Sequence, residues 1–415
     1  MSSQAPAAAA PVKTPPYAWA VLFALYLATL SAPLNMFKLP PVMTMIEKAF
    51  GMDSVASGDL MSIFSIMGFV LAIPAGFILK RFGIKPTILF SVGTVAVGTA
   101  LGAIAKTSTM LFVGRFVEGI GMGLVMVAAP LAISLWFPPQ NRALPTGLWA
   151  TSVGVGNVLT LWVAPSVAKE HGWQSVWWAG AAFAALAFVL FAVIFRMPRN
   201  DEMPEAPAPP PAKGEAESSP GIASGMRNVN YWLIGVGFGV YNLVVMAMLT
   251  FLPTFLEVER GYSLTYDEGL FMNASFVTAL VMLASVFSAP GGGFISDKLG
   301  SRKAVVLVSY VVMTLTFLVP FSVTGWQIPA YMLVFGLFGG PIAPVLLAAV
   351  PEVSKKPQLI GIGMACSALC QNAGMYIGPS LFIRIRVATD WATAGYWMIP
   401  ICIIGMLAVW RIKVR

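Results

Sequence analysis

Ionisable and amide side chains inside long apolar stretches are costly, so the few that occur are the first candidates for chemistry. Ser31, Asn35 and Lys38 follow one another at spacings of four and three, which places them on one face of a helix. Pro33 stands among them and frees a carbonyl of that helix. A lysine charge beside an amide and a broken helix is a place to hold a small anion. Lys38 also follows Trp19 by 19 residues, about 28 Å at 1.5 Å per residue, which equally suits a side chain snorkelling to the membrane boundary. Arg115 and Glu118 are three apart in another apolar stretch and can pair. They form either a proton-responsive pair, released when Glu118 is protonated, or a permanent ion pair that orders its helix. Among neutral groups, Tyr241 with Asn242, and Asn372 with Tyr376 one turn later, are the preferred ligand contacts. Asn157, Asn273, Thr278, Tyr331 and Gln371 form a second layer, with helix-to-helix hydrogen bonding as the plain alternative for each. Arg384 and Arg386 read as an anion funnel or as interfacial anchors. The single histidine, His171, and three cysteines in apolar runs give no catalytic, metal or disulfide pattern.

The elements that must position these residues are membrane helices. The chain of 415 residues is 58% hydrophobic and only 10% charged, where a soluble domain is nearer half apolar and a quarter charged. Twelve apolar runs of spanning length recur: 17–39, 58–79, 87–105, 110–136, 143–167 and 174–195, then 231–256, 269–295, 304–323, 328–350, 359–383 and 393–410. The expected fold is therefore an all-α membrane protein of twelve transmembrane helices in two pseudo-symmetric six-helix bundles. Residues 17–196 form the first bundle and 231–412 the second, with a disordered head at 1–16 and a tail at 413–415. Between the bundles, residues 197–230 are rich in Pro, Glu, Ala and Ser and read as a solvated linker. The head lacks the pattern of a cleaved signal peptide. Most of the 25 Lys and Arg fall in loops on the side of the termini, which predicts cytoplasmic termini and linker in a cell membrane. The net charge of +8 is spread over these loops and does not point to nucleic acid.

Landmarks repeat at offsets of 213 to 217 residues: Tyr17 with Tyr231, Pro40 with Pro253, Gly147 with Gly363, Gly76 with Gly293. Two homologous halves follow, with substrate expected between them near the midplane. Gly293, Asp297, Gly300 and Arg302 form a loop motif, and Gly76, Arg81, Gly83 and Lys85 form its first copy with Lys80 where the aspartate belongs. Arg115, Glu118, Gly119, Gly121 and Gly123 form a second pattern in the fourth run. On these motifs, the linker and the repeat, the chain resembles the major facilitator superfamily over its whole hydrophobic length. The segment Lys38-Leu-Pro-Pro and the pair Gly172-Trp173 are loosely similar to cyanate-porter-like and monocarboxylate or oxalate-type anion carriers. The fifth run, from Gly154 to Pro165, departs from the Gly-Pro-rich stretch of the antiporters, which argues against proton/drug antiport.

The resemblance implies a secondary active transporter working by alternating access, with Arg115 taking part in coupling. It implies gating residues Asp297, Arg302 and Arg81, Asp297 meeting the positive end of a helix in the other half. Because Lys80 cannot do the same, the gate should be asymmetric. The expected cargo is a small organic anion, monocarboxylate-like, moved with a proton by a monomer in lipid, without cofactor or catalysis. Absence of arginine from the second and eighth runs argues against nitrate. The rival reading is a drug or metabolite exporter with an apolar cavity. A sensor built on a carrier scaffold would need a signalling domain that the short head and tail do not hold.

Overall fold

The computed structural model describes residues 14–72, 74–138, 141–199, 226–263, 273–319, 321–354 and 359–413. Residues 1–13 of the head, most of the linker, and the basic pair at 355–356 lie outside the described residues. Within lipid every backbone polar group must be satisfied inside its own element, and the apolar runs accordingly form helices. We number them as spans: α1 Pro16–Met36, α2 Ser54–Leu71 continued by Pro74–Phe82, α3 Ile84–Ala103, α4 Ser108–Trp136, α5 Ser152–His171 preceded by Ala143–Ala150, and α6 Trp173–Ile194. The second set is α7 Val229–Arg260, α8 Ala274–Leu299, α9 Arg302–Thr316, α10 Gln327–Gly339 with Ile342–Val353, α11 Ile360–Ala388, and α12 Met398–Arg411 preceded by Trp391–Tyr396. Ten helical units among the described residues are long and apolar enough to cross a membrane. Together with α9 and α11 they make up the twelve.

The sequence repeat reappears as a packing repeat. In the first half α1 packs on α5 and α6, α2 on α4, and α3 on α6. In the second, α7 packs on α11 and α12, α8 on α10, and α9 on α12. The halves then meet through equivalent pairs, α2 with α11 and α5 with α8. Close approach rests on small residues. A Cβ on Gly374 of α11 would stand 1.9 Å from the Gly239 carbonyl oxygen of α7, and one on Gly378 would stand 2.3 Å from that of Leu243. Both pairs are 135 apart in number, as two parallel helices in register require. In the loop motif, Gly83 and Gly300 hold φ of +81° and +62°, a region only glycine enters without strain. That explains the repeated glycine at each turn after α2 and α8.

The eighth run was expected to begin at 269, which would put Asn273 inside the helix. Instead α8 begins at Ala274 and Asn273 caps it, its Oδ1 accepting the Phe276 N–H at 2.7 Å. An amide that satisfies a free helix-end donor is better placed at the end than in the span. Residues 264–272 lie outside the described residues.

Candidate functional site

The α1 polar stripe ends in a sealed charge cluster inside the first half. The helix expected to break at Pro33 instead runs through it to Met36, and Phe37 N–H closes back on the Pro33 carbonyl at 3.1 Å. Beyond that end, Lys38 turns into the bundle. Its Nζ lies 2.7 Å from Glu118 Oε1 of α4, 2.9 Å from Asn35 Oδ1 and 3.2 Å from Thr99 Oγ1 of α3. Trp177 of α6 covers the ammonium, its ring centre 4.7 Å away. Arg115 approaches Glu118 from the other side, Nη1 to Oε2 at 2.8 Å. Arg115 also donates to the free carbonyls at the end of α1, those of Asn35 at 2.7 Å and Met36 at 3.1 Å. Lys38, Asn35, Thr99, Arg115 and Glu118 are all at most 1% exposed.

Two cations therefore share one carboxylate in a buried site. Glu118 gives one oxygen to each, and Thr99 donates to Oε1 at 3.0 Å. Charges removed from water are tolerated only when each is paired and hydrogen-bonded, and here each is. A glycine makes room: a Cβ on Gly180 of α6 would stand 2.3 Å from Asn35 Oδ1. The cluster ties α1, α3, α4 and α6 together, and any event that neutralises Glu118 breaks both ion pairs at once. Sequence reasoning brought Asn35, Lys38, Arg115 and Glu118 forward but placed Lys38 at a cavity or at the boundary. It also missed Thr99 and Trp177, which carry no signal that separates them from ordinary membrane residues.

The remaining candidates lie elsewhere. Tyr241 and Asn242 are buried in α7, and Asn242 donates to its own helix at Phe238 O, 2.9 Å away. Asn372 of α11 does the same at Ala368 O, 2.8 Å. Its Oδ1 lies 2.1 Å from where a Gly68 Cβ of α2 would be, so Asn372 sits in the contact between the halves. Tyr376, one turn on, is 40% exposed. Asp297 pairs with Arg302 at 3.2 Å, and Arg302 also pairs with Glu352, so among the described residues both ion pairs stay within the second half. Arg81 is exposed and lies over the Phe82 ring.

The halves join at the end remote from the termini. Asp59 of α2 receives Arg384 and Ser380 of α11, a Cβ on Gly58 would meet Ile383 at 2.7 Å, and Thr44 donates to Glu257 of α7 at 3.1 Å. The residue pairs 58/383, 59/384 and 68/372 fit an antiparallel seam about ten residues long, or about 15 Å.

A family model described as Major Facilitator Superfamily matches residues 25–275 and 271–415. Among curated relatives, the hexuronate transporter of Bacillus subtilis is 23% identical over 71% of this chain and 68% of its own length. A probable sulfoacetate transporter of Cupriavidus necator is 24% identical over 70% and 69%. A probable galactarate/D-glucarate transporter of Bacillus subtilis is 24% identical over 81% and 79%. A solved bacterial homologue of the human lysosomal transporter Spinster, in an inward-facing and occupied conformation, shares the fold. Its TM-score is 0.77 at 14% identity, over 96% of this chain and 97% of that one. With both halves matched and the paired six-helix architecture in place, the chain belongs to the Major Facilitator Superfamily, a family of membrane transporters.

Proposed function

We propose that this protein is a secondary active carrier of a small organic anion, a monocarboxylate or a related acid, moved together with a proton by alternating access. The observation that carries the reading is the ratio of two buried cations, Lys38 and Arg115, to one buried carboxylate, Glu118. Protonating Glu118 leaves two uncompensated positive charges in a medium that penalises them heavily. An anion arriving between the halves offsets that charge, so proton and anion favour each other's binding. This reciprocity is symport in thermodynamic form. The names of the relatives above, for hexuronate, sulfoacetate and glucarate, point to anions as well.

In this reading Lys38 and Asn35 reach the substrate only after α1 unlocks from Arg115, and Tyr241, Asn242, Asn372 and Tyr376 supply contacts from the second half. Termini and linker are cytoplasmic, so the closed Asp59–Arg384 end faces outward and the conformation is inward-facing. The carrier works as a monomer in the cell membrane.

The test is a thermal-unfolding screen of detergent-purified protein against small carboxylates, sulfonates, sugars and lipophilic cations. A ligand present at 100 times its dissociation constant adds about 2.7 kcal/mol. Carboxylates raising the midpoint in wild type but not in Lys38→Gln is the expected result. Stabilisation by lipophilic cations alone would replace this reading with export of apolar compounds.

A further inference from the structure

Asparagines inside membrane helices usually find a partner on their own backbone. Here Asn35, Asn242 and Asn372 each donate Nδ2 to the carbonyl four residues earlier, at 2.8, 2.9 and 2.8 Å. Asn157 of α5 does not. It is 0% exposed, yet among the described residues neither its Nδ2 nor its Oδ1 has a hydrogen-bond partner. A buried amide left in this state costs the protein its full desolvation penalty, and in hydrocarbon there is no bulk water to relieve it.

The neighbours on its stripe of α5 locate it. One turn before it, a Cβ on Gly154 would stand 2.7 Å from Val286 of α8, in the other half. One turn after it, Thr160 donates to the Leu34 carbonyl of α1 at 3.2 Å, just past Pro33. Next to it, a Cβ on Gly156 would meet Pro33 and Leu34 at 3.0 Å. Asn157 thus stands where the last turn of α1 meets the α5–α8 contact between the halves. That contact must rearrange whenever the halves rock about a substrate.

We propose that Asn157 is a substrate-contacting residue that reads a hydroxyl group beside the carboxylate of the transported anion. A primary amide presents one acceptor and two donors, the complement of an alcohol, which donates once and accepts twice. A bare carboxylate would use only the donors. The preferred cargo is therefore a hydroxy acid over its deoxy analogue. This assignment rests on the anion reading above and narrows it. A site built to bond a hydroxyl rejects the analogue lacking it because its own polar group is left unpaired.

The experiment compares lactate with propionate, and gluconate with hexanoate, as ligands of the full-length protein by thermal unfolding titration. Wild type should favour the hydroxy acid of each pair by about tenfold or more. Asn157→Leu should bring the ratio close to one while retaining affinity for the deoxy acid. Without ligand, Asn157→Leu should unfold at the same temperature as wild type or higher, because an unpaired buried amide is replaced by an apolar side chain of similar size. A lower ligand-free midpoint in both Asn157→Leu and Asn157→Ala would make the residue structural and overturn the assignment. So would an unchanged ratio in the variants, or a wild type that binds carboxylates with no hydroxyl preference. A wild type that binds no carboxylate at all would remove the anion reading, and this assignment with it.

Discussion

Arg384 of α11 addresses Asp59 of α2 with both terminal nitrogens, Nη1 to Oδ1 and Nη2 to Oδ2, each at 2.8 Å. The two residues belong to different halves, and the pair closes the end remote from the termini. The bidentate geometry is the strong form of a guanidinium–carboxylate contact. The side chains are about half and a third exposed, so the pair is worth about 1 kcal/mol and is screened by salt. Asp59→Asn should open this end about fivefold more often. A cysteine in place of Ser62, buried on the same stripe of α2, reports it through faster maleimide labelling. The exchange Asp59→Arg with Arg384→Asp should return labelling to the wild-type rate. Equal rates in all three proteins would remove the pair from gating.

Glu118→Gln tests the charge cluster. The variant leaves Lys38 and Arg115 buried with no carboxylate between them, and breaking such a pair from one side costs about 3–5 kcal/mol. The unfolding midpoint should fall clearly, and adding Lys38→Met should restore most of it by removing the surplus charge. In proteoliposomes the single variant should retain substrate exchange and lose accumulation driven by a proton gradient. Accumulation at the wild-type level would show that Glu118 carries no transported proton.

How far the sequence reaches can be judged from these residues. Apolar run length is a local property, and it located all twelve spans, because lipid leaves the backbone no alternative to helix. Breaks within spans were not legible: α2 divides before Pro74, and α10 divides between Gly339 and Ile342. The pairing of Arg115 with Glu118 was readable from a spacing of three. The joining of Lys38 to Glu118 was not, since those residues are 80 apart and nothing in the α1 pattern states which way Lys38 turns after the helix ends. Asp59 drew no attention, and Arg384 read as an anchor or funnel, because a contact across 325 residues leaves no trace in either segment alone.

The register of α7 against α11 yields a packing prediction. A methyl on Gly374 would overlap the Gly239 backbone oxygen, which cannot rotate away as a side chain could. Gly374→Ala should destabilise by about 1–3 kcal/mol and lower the yield of folded protein. Gly291→Ala, where a Cβ meets nothing within 4 Å among the described residues, is the matched control on α8. Size-exclusion profiles of the two variants decide it, and a monodisperse Gly374→Ala at wild-type yield would mean that α7 and α11 can separate freely.

Asp297 supplies the last test. In this conformation its carboxylate is 69% exposed and pairs with Arg302, which Glu352 shares. Among the described residues nothing lies within 4 Å of a Cβ at Gly293, one turn earlier. We expect that when the termini end closes, Asp297 turns to the N-terminal end of α5, where free N–H groups favour an anion by about 0.3–1 kcal/mol. Asp297→Asn removes the attraction that exists only in the closed arrangement, so it should raise the population of the present conformation by about two- to fivefold. The first copy of the motif has Lys80 at the matching position and offers no such attraction to α11, so Lys80→Asn should produce no comparable shift. Labelling of single cysteines lining the termini-side opening measures both variants. An Asp297→Asn protein that labels at the wild-type rate would leave Asp297 with only its Arg302 contact.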